Sequence, residues 1–111
     1  MRVLLDENLP HRLRLALHGH DVATAVYMGW AGIQNGALLG LVESSGFEVL
    51  VTADRKMKGQ QNFVGRRIAM VYLTAQEWPL IAPYVTKIIE AVDAAVPGSF
   101  QIVECGEFRR G

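Results

Sequence analysis

The sequence predicts a single α/β domain with a largely parallel central sheet. Apolar runs at 3–5 and 49–52 lack the polar alternation of half-exposed strands, so they are expected to be strands buried on both faces. Stretches with helical spacing of apolar residues alternate with the predicted strands, and this alternation is typical of a parallel sheet. A chain of 111 residues, 50% of them hydrophobic, is expected to form one domain, 1–111, with one packed core.

Strands and helices are expected to alternate along the whole chain. Asn8 is the expected N-cap of the first helix, because its side chain can accept a hydrogen bond from a helix N–H group, and Gly19 is expected to end that helix. The last strand is expected at a sheet edge, so a homodimer through this strand or the preceding helix is one expected assembly. The predicted strands are 3–5, 21–26, 47–52, 68–73 and 100–103; the predicted helices are 9–18, 37–44 and 83–96, with a short helical region from 77, a loop at 28–36 and a tail at 104–111.

Charge and cysteine content exclude several classes of function. Eleven Lys and Arg residues balance eleven Asp and Glu residues, so binding to a polyanion would depend on a local patch. Cys105 is the one cysteine, which leaves no internal disulfide and no metal-binding cysteine spacing. Met1 leads directly into strand residues, so no signal peptide is expected, and no apolar run is long enough to cross a bilayer. A soluble, cytoplasmic protein without membrane contact is therefore expected.

Acidic residues follow two of the predicted buried strands. Asp6 and Glu7 come directly after the first strand, and Asp54 follows the apolar run at 49–52. Ligands of open α/β sheets bind at the carboxyl ends of the strands, so these carboxylates are expected to lie close together. Such oxygen ligands suit Mg²⁺ or Mn²⁺, and these metals can activate water against a phosphodiester. The alternative is that each acid only caps a helix or turn.

Four motifs follow one another between Arg2 and about Leu73: VLLDENLP, GHDV, MGWAGIQNGALL and VLVTADRKMKGQQNF. In this order they resemble a small bacterial branch of the PIN-like superfamily, whose relatives include VapC-type toxins and other metal-dependent ribonucleases. The resemblance implies a three-layer α/β/α sandwich with a mostly parallel sheet, a bound Mg²⁺ or Mn²⁺, and RNA cleavage. It also implies that Asp6 and Asp54 are the catalytic, metal-binding carboxylates and that Thr52 supports Asp54. A toxin of this kind would have an antitoxin-like protein as its partner.

The chain departs from the family pattern at two positions of the acidic site. The helix after the glycine-rich loop usually contributes an acid, whereas this chain reads Asn35-Gly36-Ala37, and Lys56 stands where many relatives have another acid. Asn35 and Glu7 are the expected substitutes in catalysis, with Glu43 as a further candidate. Lys56 could instead neutralise the carboxylates. The alternative function is therefore a non-catalytic PIN-like module that binds RNA or a protein.

The polar segment after Asp54 is the expected RNA contact. Cationic side chains can bind phosphates, and amide side chains can bind bases. A solvated loop is the alternative interpretation. The candidate RNA-binding residues are Arg55, Lys56, Lys58, Gln60, Gln61 and Asn62.

Trp30 lies in the glycine-rich loop at 28–36 and has two interpretations. Its ring could stack on a base, or it could anchor the loop to the core, which is the commoner role of a tryptophan in a tight loop. Trp30 is counted with Thr52 and Asn8 among the residues expected to support the site.

Overall fold

The computed structural model describes residues 1–58 and 66–106, except for the side chains of Asn35 and Lys58. Within these residues it confirms the predicted α/β class, because five strands form one sheet and every neighbouring pair is parallel. The strands are Arg2–Leu5 (β1), Asp21–Thr24 (β2), Val49–Thr52 (β3), Ala69–Leu73 (β4) and Phe100–Val103 (β5). Their order across the sheet is β2-β1-β3-β4-β5.

The central strands β1, β3 and β4 are buried on both faces, apart from Arg2 at the start of β1. β1 and β3 pair with Val3 opposite Val49 and Leu5 opposite Val51. Successive residues of a strand point to opposite faces, and each face of this sheet has its own apolar core. The uninterrupted apolar runs in the sequence are therefore explained by cover on both sides.

Helices cover both faces of the sheet, which gives the three layers of an α/β/α sandwich. Leu13 and Ile88 belong to the core on one face, whereas Leu38 and Met57 belong to the core on the other. The helices that supply these residues are His11–Ala16 (α1) and Val85–Asp93 (α5) on the first face, and Asn35–Ser44 (α2) and Arg55–Lys58 (α3) on the second; Trp78–Ile81 (α4) and a 3₁₀ turn at Ala82–Tyr84 precede α5.

The prediction that Asn8 caps the first helix is wrong. α1 begins at His11, with the extended residue Pro10 at its N-cap position and no side-chain cap. The side chain of Asn8 instead accepts a hydrogen bond from the backbone N–H of Ala53, at 3.4 Å, on the neighbouring strand end. The Asn8 side chain therefore binds a residue distant in the sequence instead of capping the helix that follows it. The helix also ends earlier than predicted, at Ala16 rather than just before Gly19.

Four further boundaries differ from the prediction by two residues. β2 ends at Thr24 rather than 26, α2 begins at Asn35 rather than 37, β3 begins at Val49 rather than 47, and α5 begins at Val85 rather than 83. The early end of β2 matters for the site, because Tyr27 then belongs to a turn at the carboxyl edge of the sheet.

β5 lies at an edge of the sheet, as predicted, and β2 forms the opposite edge. Homodimerisation through β5 stays a prediction. A separate finding concerns membranes: none of the helices formed by residues 1–58 and 66–106 has the length and apolar character needed to cross one.

Candidate active site

The pairing of β1 with β3 places Asp6 beside Thr52. Leu5 lies opposite Val51, so the two residues that follow are also neighbours, and the Asp6 N–H donates to the Val51 carbonyl at 2.9 Å. The Thr52 hydroxyl donates to Asp6 Oδ2 at 2.6 Å. The same hydroxyl accepts a hydrogen bond from the backbone N–H of Asp54 at 3.1 Å. One side chain therefore links the two strand ends that carry the predicted acids.

Thr52 differs from its expected role. The resemblance implied that it supports the carboxylate of Asp54, but its proton goes to Asp6 and it meets only the backbone of Asp54. Asp54 Oδ1 accepts a hydrogen bond from the Lys56 N–H at 2.9 Å, and the Asp54 carbonyl accepts one from the Met57 N–H at 2.9 Å. Asp54 thus also caps the start of α3. Its second oxygen, Oδ2, accepts no hydrogen bond from the part of the chain that the structure describes.

Asp6 is buried, and its surroundings raise its pKa above the ordinary value of 3.8. Burial is the largest cause, because the residue is 6% exposed and loss of water disfavours the charged form. Hydrogen bonds from the Thr52 hydroxyl and from the Glu7 N–H, at 2.8 Å, act in the opposite direction. The negative charges of Asp54 and Glu7 raise the pKa further. Asp6 therefore lies within electrostatic reach of two other carboxylates.

Asp6, Glu7 and Asp54 line one pocket of about 100 Å³, which we call the acid pocket. Glu7 Oε1 accepts a hydrogen bond from the N–H of Gly32 at 2.8 Å, so this carboxylate is tied to the glycine-rich loop. The structure therefore brings the three strand-end acids together. The remaining lining residues are Asn8, Ile33, Gln34, Leu38, Lys56 and Met57.

Lys56 lines the acid pocket, and whether it neutralises the carboxylates there stays a prediction. Its ammonium group forms no ion pair with a carboxylate of the described residues. Arg55 and Lys56 are exposed and line a larger pocket of about 560 Å³ on the other side of Asp54, which we call the basic pocket. The acids Asp54 and Glu77 line this pocket as well. The side chains of Asn35 and Lys58, together with Gln60, Gln61 and Asn62, lie outside the described residues, and their predicted roles stay predictions.

Glu43, a further candidate from the sequence, does not line the acid pocket. Its carboxylate accepts a hydrogen bond from the backbone N–H of Arg67, and it lies 3.4 Å from the guanidinium of Arg66 and 4.0 Å from that of Arg67. These contacts lower the pKa of Glu43, and the Arg67 N–H is the largest cause. Glu43 therefore has a structural role between α2 and β4.

Trp30 anchors the glycine-rich loop. Its ring meets the ring of Phe47 edge-on, with centroids 6.0 Å apart. The backbone N–H of Trp30 donates to the Ala25 carbonyl at 2.8 Å. Tyr27 is the exposed aromatic residue of this segment, at 83% exposure. No sequence pattern singled out Tyr27, and its position between a strand and a glycine-rich loop was the one available signal.

Comparisons with family models, with curated proteins and with solved structures find no match. In residues 1–58 and 66–106, no group of three or more His, Cys, Asp or Glu side chains is arranged to hold a metal ion. The fold and the site define a class of protein, a parallel α/β sandwich with a carboxylate-lined pocket at the carboxyl ends of its strands. The PIN-like family, the metal and the ribonuclease activity stay predictions from the sequence.

Proposed function

We propose that this protein is a metal-dependent endoribonuclease of the PIN-like type that hydrolyses phosphodiester bonds of RNA. The observation that carries the proposal is the Thr52 hydroxyl, which links the Asp6 carboxylate to the Asp54 backbone at one pocket. Asp6 is buried, repelled by two carboxylates and still held by directed hydrogen bonds. Such a perturbed carboxylate in a pocket is typical of a functional site, and it favours binding of a positive partner.

The donor set fits a hard divalent cation. Mg²⁺ is commonly held by one or two carboxylates together with water and substrate phosphates, and Mn²⁺ accepts the same ligands. Asp6 and Asp54 would hold the ion, and Asp54 Oδ2, which has no hydrogen-bond donor among the described residues, is the available oxygen. When bound, the ion would lower the pKa of a water molecule and offset charge on the phosphate.

The chain's own residues would orient the reacting groups. Thr52 holds the Asp6 carboxylate in one orientation, and Glu7 ties the glycine-rich loop to the pocket through Gly32. Arg55 and Lys56 bring two positive charges to the neighbouring basic pocket, beside the acids Asp54 and Glu77, and these two cations would contact RNA phosphates. Because the net charge of the whole chain is +0, RNA binding would depend on this local patch.

Cleavage of a labelled single-stranded RNA in Mn²⁺ tests the proposal. We expect wild type to cleave and Asp6→Asn to lose roughly a hundredfold or more of the rate, as for loss of a catalytic group. Asp21→Asn is the matched control, because Asp21 is exposed at the amino end of β2 and contacts Arg2 at 3.7 Å. Equal rates for wild type and Asp6→Asn would rule out this assignment.

The proposal extends to a toxin that acts in the cytoplasm and is inhibited by an antitoxin-like protein. This part rests on the resemblance to VapC-type relatives. Expression of wild type in a bacterial host is expected to stop growth, and expression of Asp6→Asn is expected not to. Growth arrest by both proteins would contradict toxicity through RNA cleavage.

A non-catalytic PIN-like module is the second candidate function. It is supported by Ala37 and Lys56, which replace acids of the family pattern. It is also supported by the finding that no three His, Cys, Asp or Glu side chains of the described residues are arranged to hold a metal ion. Calorimetric titration with Mn²⁺ separates the two candidates. Binding that is lost in Asp54→Asn supports the enzyme, whereas no binding at millimolar Mn²⁺ supports a module that binds RNA or a protein.

A further inference from the structure

Tyr27 is the most exposed of the large hydrophobic side chains in the described residues, at 83%. It follows Val26, which is 63% exposed. Both line a pocket of about 410 Å³ that also includes Leu9, and we call it the Tyr27 pocket. Its volume lies within the roughly 300–1,000 Å³ of ordinary ligand sites. The molecule therefore presents an aromatic ring to solvent at the wall of a ligand-sized cavity.

The Tyr27 pocket adjoins the acid pocket. Asp6 and Glu7 line both cavities, so a ligand in the Tyr27 pocket would lie beside two carboxylates of the acid pocket. On the opposite side, Asp54 and Lys56 line both the acid pocket and the basic pocket. The three cavities thus follow the carboxyl edge of the sheet in the strand order β2, β1, β3, β4. An extended ligand could occupy all three.

The turn that carries Tyr27 is held by hydrogen bonds. The Tyr27 N–H donates to the Thr24 hydroxyl at 3.0 Å, and the Met28 N–H donates to the Thr24 carbonyl at 3.1 Å. The Gly29 N–H donates to the Val26 carbonyl at 3.0 Å. The backbone beneath the ring is therefore ordered before any ligand arrives, which reduces the entropy lost on binding.

We infer that Tyr27 is a stacking platform for one unpaired nucleobase of the RNA strand whose phosphate lies at the acid pocket, and this inference rests on the proposed ribonuclease function. An aromatic ring can stack on any base, and a backbone that follows positive charge is the usual companion of such stacking. Tyr27 supplies the ring on one side of Asp6, and Arg55 supplies positive charge beyond Asp54 on the other. The ring of Trp30 is half-buried and packs edge-on against Phe47, so Tyr27 presents the more exposed ring.

Fluorescence anisotropy with a short, labelled, single-stranded RNA in EDTA tests the platform in the absence of cleavage. We expect Tyr27→Ala to weaken binding about tenfold and Tyr27→Phe to bind like wild type, because the phenyl ring still stacks. Leu15→Ala is the matched control, since Leu15 is 63% exposed and lines a different pocket. It is expected to leave the affinity unchanged.

A second set of RNAs, each with one abasic position, identifies the stacked base. Wild type is expected to bind more weakly to the RNA that is abasic at one particular position. Tyr27→Ala is expected to bind that RNA with the same affinity as the intact RNA. Circular dichroism of each variant establishes that it is folded. Unchanged affinity in Tyr27→Ala, or a loss that is the same at every abasic position, would overturn the inference.

The outcomes also separate this inference from the proposed function. Mn²⁺-dependent cleavage with unchanged RNA affinity in Tyr27→Ala rejects the platform alone. RNA binding that depends on Tyr27, without cleavage in Mn²⁺, supports the platform and rejects the enzyme. If the wild-type protein binds no RNA, the stacking role of Tyr27 is rejected, and the exposed ring would then be a candidate contact for a protein partner.

Discussion

The Thr52 hydroxyl donates to the Asp6 carboxylate across the β1–β3 pair, with 2.6 Å between the two oxygens. Thr52 is 0% exposed and Asp6 is 6% exposed, so this bond lies in nearly dry surroundings. A hydrogen bond to a charged oxygen is stronger there than in water, and a buried acceptor without its donor is destabilising. The bond therefore fixes the orientation of the Asp6 carboxylate and opposes the rise in its pKa that burial causes.

Thr52→Val keeps the shape of the side chain and removes the hydroxyl. We expect the free energy of unfolding at neutral pH to fall by about 1–3 kcal/mol, because a charged acceptor loses its donor. The pKa of Asp6 is expected to rise further for the same reason. Urea denaturation measures the stability, and carboxyl NMR measures the pKa. The matched control is Thr86→Val, at an exposed position of α5. Equal losses in the two variants would contradict the role given to the hydroxyl.

The raised pKa of Asp6 makes stability depend on pH. The native state keeps the Asp6 proton at pH values where an unfolded Asp, with its ordinary pKa of 3.8, has lost it. The contribution of the Asp6 proton to the free energy of unfolding is therefore complete below the pKa of Asp6 in the unfolded chain. It is lost as the pH rises through the pKa of Asp6 in the folded protein. Asp54→Asn removes one repelling charge, so we expect a lower Asp6 pKa and a smaller loss of stability.

Carboxyl NMR titration of Asp6 checks that expectation, with Asp21→Asn as the control at the opposite end of the strands. An Asp6 pKa that does not move in Asp54→Asn would show that the two carboxylates do not interact, and it would remove the electrostatic support for a shared cation.

Glu43→Gln is expected to destabilise the protein without affecting RNA cleavage. The pKa of Glu43 is lower in the folded protein than its ordinary value of 4.5. Its contribution to the free energy of unfolding is therefore present above pH 4.5 and is lost as the pH falls through the folded-state pKa. We expect a loss of about 1 kcal/mol at neutral pH, since the ion pairs with Arg66 and Arg67 are partly exposed. Denaturation across pH measures this difference, which should disappear in acid. Loss of cleavage in a folded Glu43→Gln protein would contradict a purely structural role and would show that cleavage depends on Glu43.

Gly32→Ala and Gly36→Ala are expected to change stability in opposite directions. Gly32 has φ +88°, a left-handed conformation in which alanine costs about 1 kcal/mol or more, although a Cβ there would meet no atom within 4 Å. A Cβ on Gly36 would also meet no atom within 4 Å, and this residue lies in the first turn of α2. Because glycine has more backbone freedom to lose than alanine, alanine is expected to stabilise the protein by about 0.5 kcal/mol. Thermal unfolding compares the two, and changes of the same sign would contradict the backbone explanation.

Local patterns predicted the regular elements well where one physical requirement dominates. The runs at 3–5 and 49–52, which are apolar except for Thr52, became β1 and β3, because burial on both faces disfavours polar side chains that lack a hydrogen-bond partner. Polar residues were harder to predict, since each has several possible partners. Asn8 bonds to Ala53 rather than to its own helix, and Glu43 bonds to Arg67. Both partners are distant in the sequence, so no local pattern contains them.

The two aromatic residues near the acid pocket illustrate the same limit. Trp30 and Tyr27 belong to one segment, and composition alone did not distinguish which ring would be buried. The turn after Thr24 directs Trp30 to Phe47 and leaves Tyr27 exposed. That choice depends on hydrogen bonds of the turn and on the position of the Phe47 ring, which are properties of the folded chain.

By itself, the amino-acid sequence determined that the sheet is parallel and that acids follow two of its buried strands, because unbroken apolar runs require cover on both faces. Only the tertiary structure decided which donor meets which acid. The pairing of Leu5 with Val51 puts the Thr52 hydroxyl on Asp6. A slip of one residue would turn Thr52 to the opposite face of the sheet and leave the Asp6 carboxylate without its side-chain donor.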